Sequence, residues 1–252
     1  VLVYGDYDVD GTTSVALMYS FLRDRIQDIG YYIPDRYSEG YGFSFQGVDF
    51  AKENKCSLII TLDCGVRDGK KIDYAKSIGI DVIVCDHHLP AEIPLAAAVL
   101  DPKRPDCNYP YKGLSGAGVG FKLMQGLCIQ QSIDTELLFS YLDLVTISIG
   151  ADIVPITGEN RALAYFGLQV INTKPRPGIK AIINQVKKEE LTITDVVFIV
   201  APRINAAGRM KHGNYAVSLL TEMDYDLAEQ YAAEIETFNS DRREADQQIT
   251  LE

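Results

Sequence analysis

Short apolar runs alternate with longer segments of helical periodicity in the N-terminal part of the chain, and this alternation is the strongest constraint on the fold. VLVYG, SLIITLD and DVIVCD are the clearest runs, and weaker ones lie near Tyr31 and Ala96. Helical periodicity falls over 12–29, 47–54 and 69–78. Strands that alternate with helices form β-α-β units, so the sequence predicts an α/β protein with a twisted parallel sheet flanked by helices.

The pattern changes after about residue 118, where only helical periodicity remains. We predict helices at 119–131, 135–149, 160–172, 179–188, 215–221 and from 227 onward. The last of these is long and strongly charged, which favours a solvated connector over a core helix. The sequence therefore predicts a sheet-rich part over 1–117, a helical half over 118–222 and a connector helix over 223–252.

Composition limits the possible settings and functions. The 252 residues are 47% hydrophobic, which is enough for a sizeable core. The sequence contains no run of eighteen apolar residues, so it predicts no membrane span. Five cysteines without C-x-x-C spacing disfavour a disulfide framework and a zinc knuckle, and they favour a reducing cytoplasm. The net charge of -11 argues against a general nucleic-acid coat. A nuclease remains possible because divalent cations bound by acids return positive charge to the site.

The stretch GDYDVDGTTS concentrates three acids, Asp6, Asp8 and Asp10, that repel one another unless a cation lies among them. An EF-hand loop would need a glutamate at its twelfth position, where this chain has Leu17. Alternation by two instead predicts an extended segment with the three acids on one side, followed by a turn at Gly11 and a helix. A polar turn with a helix N-cap is the competing interpretation, and it explains three acids poorly.

Further acids and two adjacent histidines follow other predicted strands and one helix. Asp63 ends one strand, the DHH triplet of Asp86, His87 and His88 ends another, and Asp152 follows an apolar helix. Each acid alone is also compatible with a turn. Because the carboxyl ends of parallel strands meet at one edge, these groups are expected to converge. Carboxylates with imidazole and no thiolate cluster favour Mn²⁺ or Mg²⁺ over a structural zinc ion.

Two other segments suggest contacts with phosphate. In GLSGAG, the glycines beside Ser115 would let the backbone approach a phosphate, whereas the G-x-S-x-G spacing of a serine nucleophile is absent. APRINAAGRMKHG offers Arg203, Asn205 and Arg209, and a helix end neutralised by basic side chains is an equally good interpretation. Aromatic residues in glycine- and proline-rich loops suit either base stacking or loop packing: Tyr41, Phe43, Tyr109 and Tyr111.

Taken in order, GDYDVDG, TLDCG, CDHH and GADIVP resemble the four motifs of the DHH phosphoesterases. DRYSEGYGF, DPKRPDCNYPYKGLSGAGVGFKL and APRINAAGRM resemble the RecJ branch of that family, which consists of exonucleases specific for single-stranded DNA. The resemblance runs over essentially the whole chain. It implies that 1–222 form the catalytic DHH domain and that 223–252 lead toward a DHHA1 domain.

The resemblance also implies a site with two Mn²⁺ or Mg²⁺ ions. The implied metal ligands, which are also catalytic, are Asp8, Asp10, Asp63, His87 and Asp152. Asp6 and Asp86 would lie beside the ligands, and His88, which is also implied to be catalytic, would face the scissile phosphate. The implied substrate contacts are Ser115, Gly116, Arg203, Asn205 and Arg209. Many family members carry a histidine ligand where this chain has Tyr4, which predicts a more open shell around one metal.

The implied activity is 5′-to-3′ hydrolysis of single-stranded DNA to 5′-mononucleotides by a cytoplasmic monomer in DNA repair and recombination. A single-strand-binding protein and a helicase are the implied partners. Other activities of the family remain as alternatives: a phosphodiesterase for short RNA or cyclic dinucleotides, or an inorganic pyrophosphatase. A metal-free DNA-binding relative is a further alternative, although all the implied ligands are present in this chain.

Overall fold

The computed structural model describes residues 1–186 and 188–251, with side chains up to residue 244. Five strands form one sheet in which every described pairing is parallel, in the order β2-β1-β3-β4-β5. The strands are β1 Leu2–Gly5, β2 Gly30–Tyr32, β3 Leu58–Leu62, β4 Asp81–Cys85 and β5 Ala98–Leu100. The predicted parallel sheet is confirmed, including the two strands with the weakest sequence signal.

Helices cover the sheet and make up the rest of the chain. They are α1 Val9–Leu22, α2 Phe45–Glu53, α3 Gly69–Ser77, α4 Gly116–Gln130, α5 Leu142–Ala151, α6 Gly158–Thr173, α7 Pro177–Val186, α8 Ile193–Asp195, α9 Ala201–Met210, α10 Asn214–Thr221 and α11 Tyr225–Leu251. A 3₁₀ helix occupies Thr135–Tyr141, so the helix predicted over 135–149 is divided in two. A π-helical turn over Val196–Val200 joins α8 to α9.

The order of the strands determines where a site can form. β1 pairs with β2 on one side and with β3 on the other. The connection after β1 leads to one side of the sheet and the connection after β2 leads to the other, so the strand order switches between β1 and β3. Ligands of open α/β sheets bind at such a switch point, beyond the carboxyl ends of the strands. The acids of GDYDVDG follow β1 and Asp63 follows β3, so both flank this crevice.

Each face of the sheet has its own hydrophobic core, as alternation along a buried strand requires. On β1, Val3 packs into the core shared with the helical half, whereas Leu2 and Tyr4 pack under α2 and α3. α1 is buried along nearly its whole length and packs against α4, α5 and α10. This helix therefore joins the sheet to the helical half and fixes the first motif between them.

The C-terminal helix corrects one prediction. α11 packs against α7 and α9, and the side chains of Ala228, Ala232 and Ile235 are buried. These positions are spaced by four and three residues, which puts them on one face of the helix. The start of the predicted solvated connector is therefore part of the helical core. Two residues of the predicted helices, Lys187 and Glu252, lie outside the described part of the chain.

Across the described residues, the structure contains no helix with both the length and the apolar character needed to cross a membrane.

Candidate active site

The first acidic motif is arranged by the start of α1 rather than by an extended segment. Asp8 is the N-cap, and its carboxylate accepts a hydrogen bond from the Gly11 amide at 3.0 Å. α1 begins at Val9, so Asp10 lies in the first helical turn. The predicted alternation of the three acids along one side of an extended strand is therefore wrong, because the cap turns the chain before Asp10. Asp6 remains beyond β1, fully buried.

Asp10 is held by the N-terminus of α4. Its two oxygens accept hydrogen bonds from the amides of Gly116 at 2.7 Å and Ala117 at 2.9 Å. The Ser148 hydroxyl of α5 donates to the same carboxylate at 2.6 Å. Helix N-termini favour anions, so this arrangement stabilises the ionised carboxylate in one orientation.

The GLSGAG segment thus has a different role from the predicted one. Ser115 is fully buried, caps α4 through the Gly118 amide, and shares a 2.6 Å hydrogen bond with Ser148. The amide of Gly116 is already directed at Asp10. The prediction that Ser115 and Gly116 contact phosphate is corrected accordingly, because the Gly116 amide holds the Asp10 carboxylate and the buried Ser115 hydroxyl pairs with Gly118 and Ser148.

Gly116 also allows a close approach to Asp63. A Cβ atom on residue 116 would lie 2.6 Å from the Cβ of Asp63, which is far below van der Waals contact. Asp63 itself has a φ of 59°, in the left-handed region that aspartate and asparagine tolerate better than most residues. This backbone conformation, in a buried residue directly after β3, turns the side chain toward α4.

The imidazole of His87 lies where three carboxylates converge. Its Nε2 atom is 3.1 Å from an oxygen of Asp63. The same atom is 3.6 Å from one oxygen of Asp10 and 3.6 Å from one oxygen of Asp152. Both ring nitrogens of His87 are buried and have no hydrogen-bond partner among the described residues. An imidazole nitrogen beside several carboxylate oxygens is a set of ligand atoms that Mn²⁺ and Mg²⁺ accept, so these residues fit a divalent cation.

Two groups of potential ligands share His87. One contains Asp63, His87 and His88, the other contains Asp10, His87 and Asp152, and in each group one ligand atom per residue lies within 4.8 Å of the others. Asp8 is outside both of these groups, although it lines the adjoining cleft. The structure thus brings together four of the five predicted ligands, with the fifth beside them.

The acids of this cluster raise one another's pKa. Burial and the neighbouring charge of Asp10 raise the pKa of Asp63 well above its ordinary value. Burial and Asp8 raise the pKa of Asp6 to about 7, and burial and Asp10 raise that of Asp152 to about 6. A cation removes this repulsion, so the cluster is matched to positive charge.

Asp86 and His88 form a pair at the end of β4. The Nδ1 atom of His88 lies 2.7 Å from Asp86, whose second oxygen accepts a hydrogen bond from the Val66 amide at 2.9 Å. Burial alone would raise the pKa of Asp86, but these hydrogen bonds outweigh it and keep that pKa below the ordinary value. The Tyr41 hydroxyl lies 3.3 Å from Nε2 of the same imidazole.

A cleft of about 260 Å³ opens beside these groups. Its lining includes Tyr7, Asp8, Val9, Asp10, Arg36, Tyr41, Ala151, Asp152, Asn205 and Arg209. The acids of GDYDVDG and GADIVP therefore face a wall with two arginines and an asparagine. Such a wall suits an anion that bridges bound cations and guanidinium groups.

α9 supplies part of this wall, and the sequence did not predict this helix. Asn205 and Arg209 are four residues apart and lie on one helical face toward the cleft, whereas Arg203 lies elsewhere on the helix. Arg203 pairs with Glu236 of α11 at 2.6 Å, so the prediction that Arg203 contacts substrate is corrected. A Cβ atom on residue 208 would lie 2.5 Å from the Tyr7 carbonyl oxygen, so Gly208 lets α9 approach the first motif.

Tyr4, at the position where the resemblance implies a histidine ligand, packs on the face of the sheet that α2 and α3 cover. Its side chain is fully buried in the core under α2 and α3. The hydroxyl donates to the Gly42 carbonyl oxygen at 2.9 Å and lies 3.3 Å from the Ser44 hydroxyl. Tyr4 therefore supports the loop that carries Tyr41.

Comparison with known proteins agrees with this geometry. Residues 1–149 match the model of the DHH family, N-terminal domain. The chain belongs to the DHH family. The matched range includes Asp8, Asp10, Asp63 and His87.

Curated relatives of this DHH-family chain include two proteins named single-stranded-DNA-specific exonuclease RecJ. The Bacillus subtilis protein is 40% identical over 255 residues, and the Escherichia coli protein is 38% identical over 266 residues. Both alignments cover 100% of this chain, but only 32% and 46% of the respective relatives. The chain therefore spans less than half of the length of each of these proteins.

Solved structures show the same fold. A crystal structure of exonuclease RecJ bound to manganese has a TM-score of 0.90 at 31% identity, covering 98% of this chain and 63% of the other. RecJ from Thermus thermophilus in complex with Mn²⁺ has a TM-score of 0.86 at 30% identity, covering 98% of this chain and 36% of the other. The DHH-family fold assignment thus holds over nearly the whole chain.

Sequence reasoning missed four groups of the site: Ser148, Tyr7, Arg36 and the hydroxyl of Tyr41 at His88. Ser148 lies 138 residues from its partner Asp10, and no local pattern could pair them. Tyr7 lies in GDYDVDG and Arg36 lies in DRYSEGYGF, and the guanidinium of Arg36 stacks 4.6 Å from the Tyr7 ring centroid. A positive charge in DRYSEGYGF was the available signal.

Proposed function

We propose that this chain is the catalytic part of a metal-dependent exonuclease that degrades single-stranded DNA from its 5′ end and releases 5′-mononucleotides. The observation that carries the proposal is a single crevice where the oxygens of Asp10, Asp63 and Asp152 converge on His87, opposite Asn205 and Arg209. Relatives at 38–40% identity carry the name of such an exonuclease, which supports the choice of substrate.

Two Mn²⁺ or Mg²⁺ ions would be held by five residues: Asp8, Asp10, Asp63, His87 and Asp152. Bound divalent ions supply Lewis-acid activation of water and neutralise charge on the phosphate and the leaving oxygen. The crystal structures of RecJ with manganese and with magnesium support this choice of metals. Asp6 and Asp86 contribute negative charge and hydrogen bonds around the ligands without binding the metal themselves.

The other side chains of the cleft bind and orient the phosphodiester. The Arg209 and Arg36 guanidiniums would neutralise nonbridging oxygens, and Asn205 would donate from its amide. His88 would contact the scissile phosphate from the end of β4. Since most of these groups are carried by α9 and by the ends of strands, the substrate would bind along the crevice between the two halves of the chain.

We further propose the division of the chain into a catalytic domain over 1–222 and a connecting helix over 223–252, with the start of that helix packed on the catalytic domain. A cytoplasmic role in DNA repair and recombination, with a single-strand-binding protein and a helicase as partners, follows from the resemblance to RecJ. The chain itself should sediment as a monomer.

The direct test is incubation of the chain with single-stranded DNA labelled at its 5′ end, in Mn²⁺ and in Mg²⁺. Release of labelled mononucleotide as the first product, lost in EDTA and in Asp63→Ala, supports the proposal. Parallel reactions contain short RNA, a cyclic dinucleotide and pyrophosphate. Cleavage of only one of these substrates would replace the exonuclease with another activity of the DHH family.

A second substrate distinguishes hydrolysis of the phosphodiester from binding of the DNA strand. The p-nitrophenyl ester of thymidine 5′-monophosphate contains one phosphodiester and needs little more than the metal cluster for hydrolysis. Turnover of this ester without degradation of DNA would place the missing contacts in parts of the relatives that this chain does not span. An inert ester in the presence of bound metal would contradict the proposed catalytic role.

A further inference from the structure

The hydroxyl of Tyr41 completes a hydrogen-bonded chain that ends in the crevice. The order is Asp86, His88 and Tyr41, with 2.7 Å between Asp86 and Nδ1 and 3.3 Å between Nε2 and the hydroxyl. Asp86 is almost fully buried, whereas His88 is partly exposed and Tyr41 lies at the surface of the cleft. This row of hydrogen bonds thus runs from a buried carboxylate to a hydroxyl at the surface of the cleft.

The carboxylate end of this row of hydrogen bonds fixes the orientation of the imidazole. Asp86 accepts from the amides of His87 and His88, so its position is fixed by the backbone. Nδ1 of His88 pairs with this carboxylate, which leaves Nε2 directed toward the Tyr41 hydroxyl.

The loop that carries Tyr41 is held in place by its own side chains. Asp35 accepts hydrogen bonds from the amides of Tyr37 and Ser38, and Glu39 accepts from the Tyr32 hydroxyl and the Asp35 amide. The hydroxyl of Tyr4 donates to the Gly42 carbonyl oxygen from the core under this loop. Residues 35–42 therefore present Tyr41 in a defined position, although the tyrosine itself is half-exposed.

The position of His88 gives this contact a functional meaning. One ring nitrogen of His88 lies within 4.8 Å of the ligand atoms of Asp63 and His87. A rotation of the imidazole would therefore move a polar group at the metal cluster. The aromatic ring of Tyr41 packs edge-to-face on His88 and on Tyr7. This packing does not involve the hydroxyl, so the hydrogen bond to His88 is a separate contact.

We propose that Tyr41 is a positioning residue for His88, whose ring plane is fixed between the Asp86 carboxylate and the Tyr41 hydroxyl. The contribution to catalysis rests on the proposed function, whereas the hydrogen bond itself does not. Loss of the hydroxyl should lower the rate of the chemical step and leave the binding of substrate and metal unchanged, because Tyr41 acts through His88.

The structural part is tested by nitrogen-15 NMR of the metal-free chain labelled only at histidine. The chain has three histidines, so the ring nitrogens give few signals, and His88→Gln assigns those of His88. Tyr41→Phe keeps the aromatic packing and removes the hydroxyl. Tyr74→Phe is the matched control, since the Tyr74 hydroxyl of α3 donates to Asp49 of α2. We expect the Nε2 signal of His88 to shift in Tyr41→Phe and not in Tyr74→Phe, while His212 is unchanged in both.

The catalytic part is tested with the p-nitrophenyl ester of thymidine 5′-monophosphate and with single-stranded DNA. We expect Tyr41→Phe to lower kcat by about tenfold, the equivalent of one hydrogen bond, with KM and the Kd for Mn²⁺ unchanged. Tyr74→Phe should keep the kcat of the wild-type chain.

The outcomes separate this inference from the proposed function. A His88 Nε2 signal that is the same in wild type and Tyr41→Phe overturns the inference, whatever the activity. A shifted signal with an unchanged kcat, or a change confined to KM, also overturns the positioning role. If the wild-type chain cleaves neither substrate, the proposed function fails, and the NMR comparison alone decides whether Tyr41 holds His88.

Discussion

The Ser148 hydroxyl of α5 donates a 2.6 Å hydrogen bond to the Asp10 carboxylate at the start of α1. Residues that orient a metal ligand without touching the metal commonly affect its affinity strongly. We expect Ser148→Ala to weaken Mn²⁺ binding by about 10–100-fold, measured by isothermal titration calorimetry. Ser140→Ala is the control, because that exposed hydroxyl bonds to the Leu137 carbonyl oxygen of its own helical turn. Equal dissociation constants for the two variants would rule out the positioning role of Ser148.

Two glycines of α4 provide a matched test of the close approach at the site. Gly116→Ala forces a Cβ atom against Asp63, and we expect the free energy of unfolding to fall by about 1–3 kcal/mol, with weaker binding of Mn²⁺. Gly126 lies in the same helix with open space around its Cα. Gly126→Ala should therefore raise the free energy of unfolding by roughly 0.5–1 kcal/mol. Chemical denaturation of both variants makes the comparison, and two stabilised variants would contradict the predicted clash.

Metal binding and stability should be linked through Asp63. In the wild-type chain, Mn²⁺ at 100 times its Kd is expected to stabilise the fold by about 2.7 kcal/mol. Asp63→Asn removes a buried charge from the acid cluster and keeps a side chain that tolerates the left-handed backbone. We expect this variant to melt at a higher temperature than wild type in EDTA and to gain nothing from Mn²⁺.

The control for that experiment is Asp73→Asn, which changes an exposed acid of α3. It should match the wild-type chain in EDTA and in Mn²⁺. An Asp63→Asn chain that is still stabilised by Mn²⁺ would show that the metal binds without this carboxylate.

Two arginines of α9 should behave differently. Arg209→Ala removes a guanidinium from the cleft, so we expect KM for single-stranded DNA to rise by roughly tenfold with an unchanged Kd for Mn²⁺. Arg203→Ala breaks the pair with Glu236, so it should lower the free energy of unfolding by about 1–3 kcal/mol and leave KM unchanged. Steady-state kinetics together with urea denaturation distinguish the two. The reverse pattern would restore the sequence-based role of Arg203.

Local patterns predicted the sheet and most of the acids because both depend on neighbours in sequence. A short apolar run that ends in aspartate predicted β3 with Asp63 and β4 with Asp86, and parallel pairing then brought these ends to one edge. The start of α1 was not predicted, because a side-chain cap by Asp8 has the same sequence signal as a metal-binding turn.

The parts that sequence reasoning missed depend on tertiary packing. α9 contains proline and glycine, which are typical of loops, yet Pro202 lies in the first helical turn and Gly208 faces the backbone of Tyr7. Once the segment is known to be helical, the four-residue spacing of Asn205 and Arg209 explains why they share a face. Without the helix, Arg203 and Arg209 were equivalent in the sequence.

The distances along the chain within the site have a consequence for folding. Asp10 bonds to residues 106 and 138 positions away, on α4 and α5. Long-range contacts form late, because the entropy of closing long loops opposes them until other structure has formed. The ligand cluster is therefore assembled only when the sheet and the helical half have docked. We therefore expect a divalent cation to find its complete set of ligands only late in folding, so that metal binding reports on the docked state.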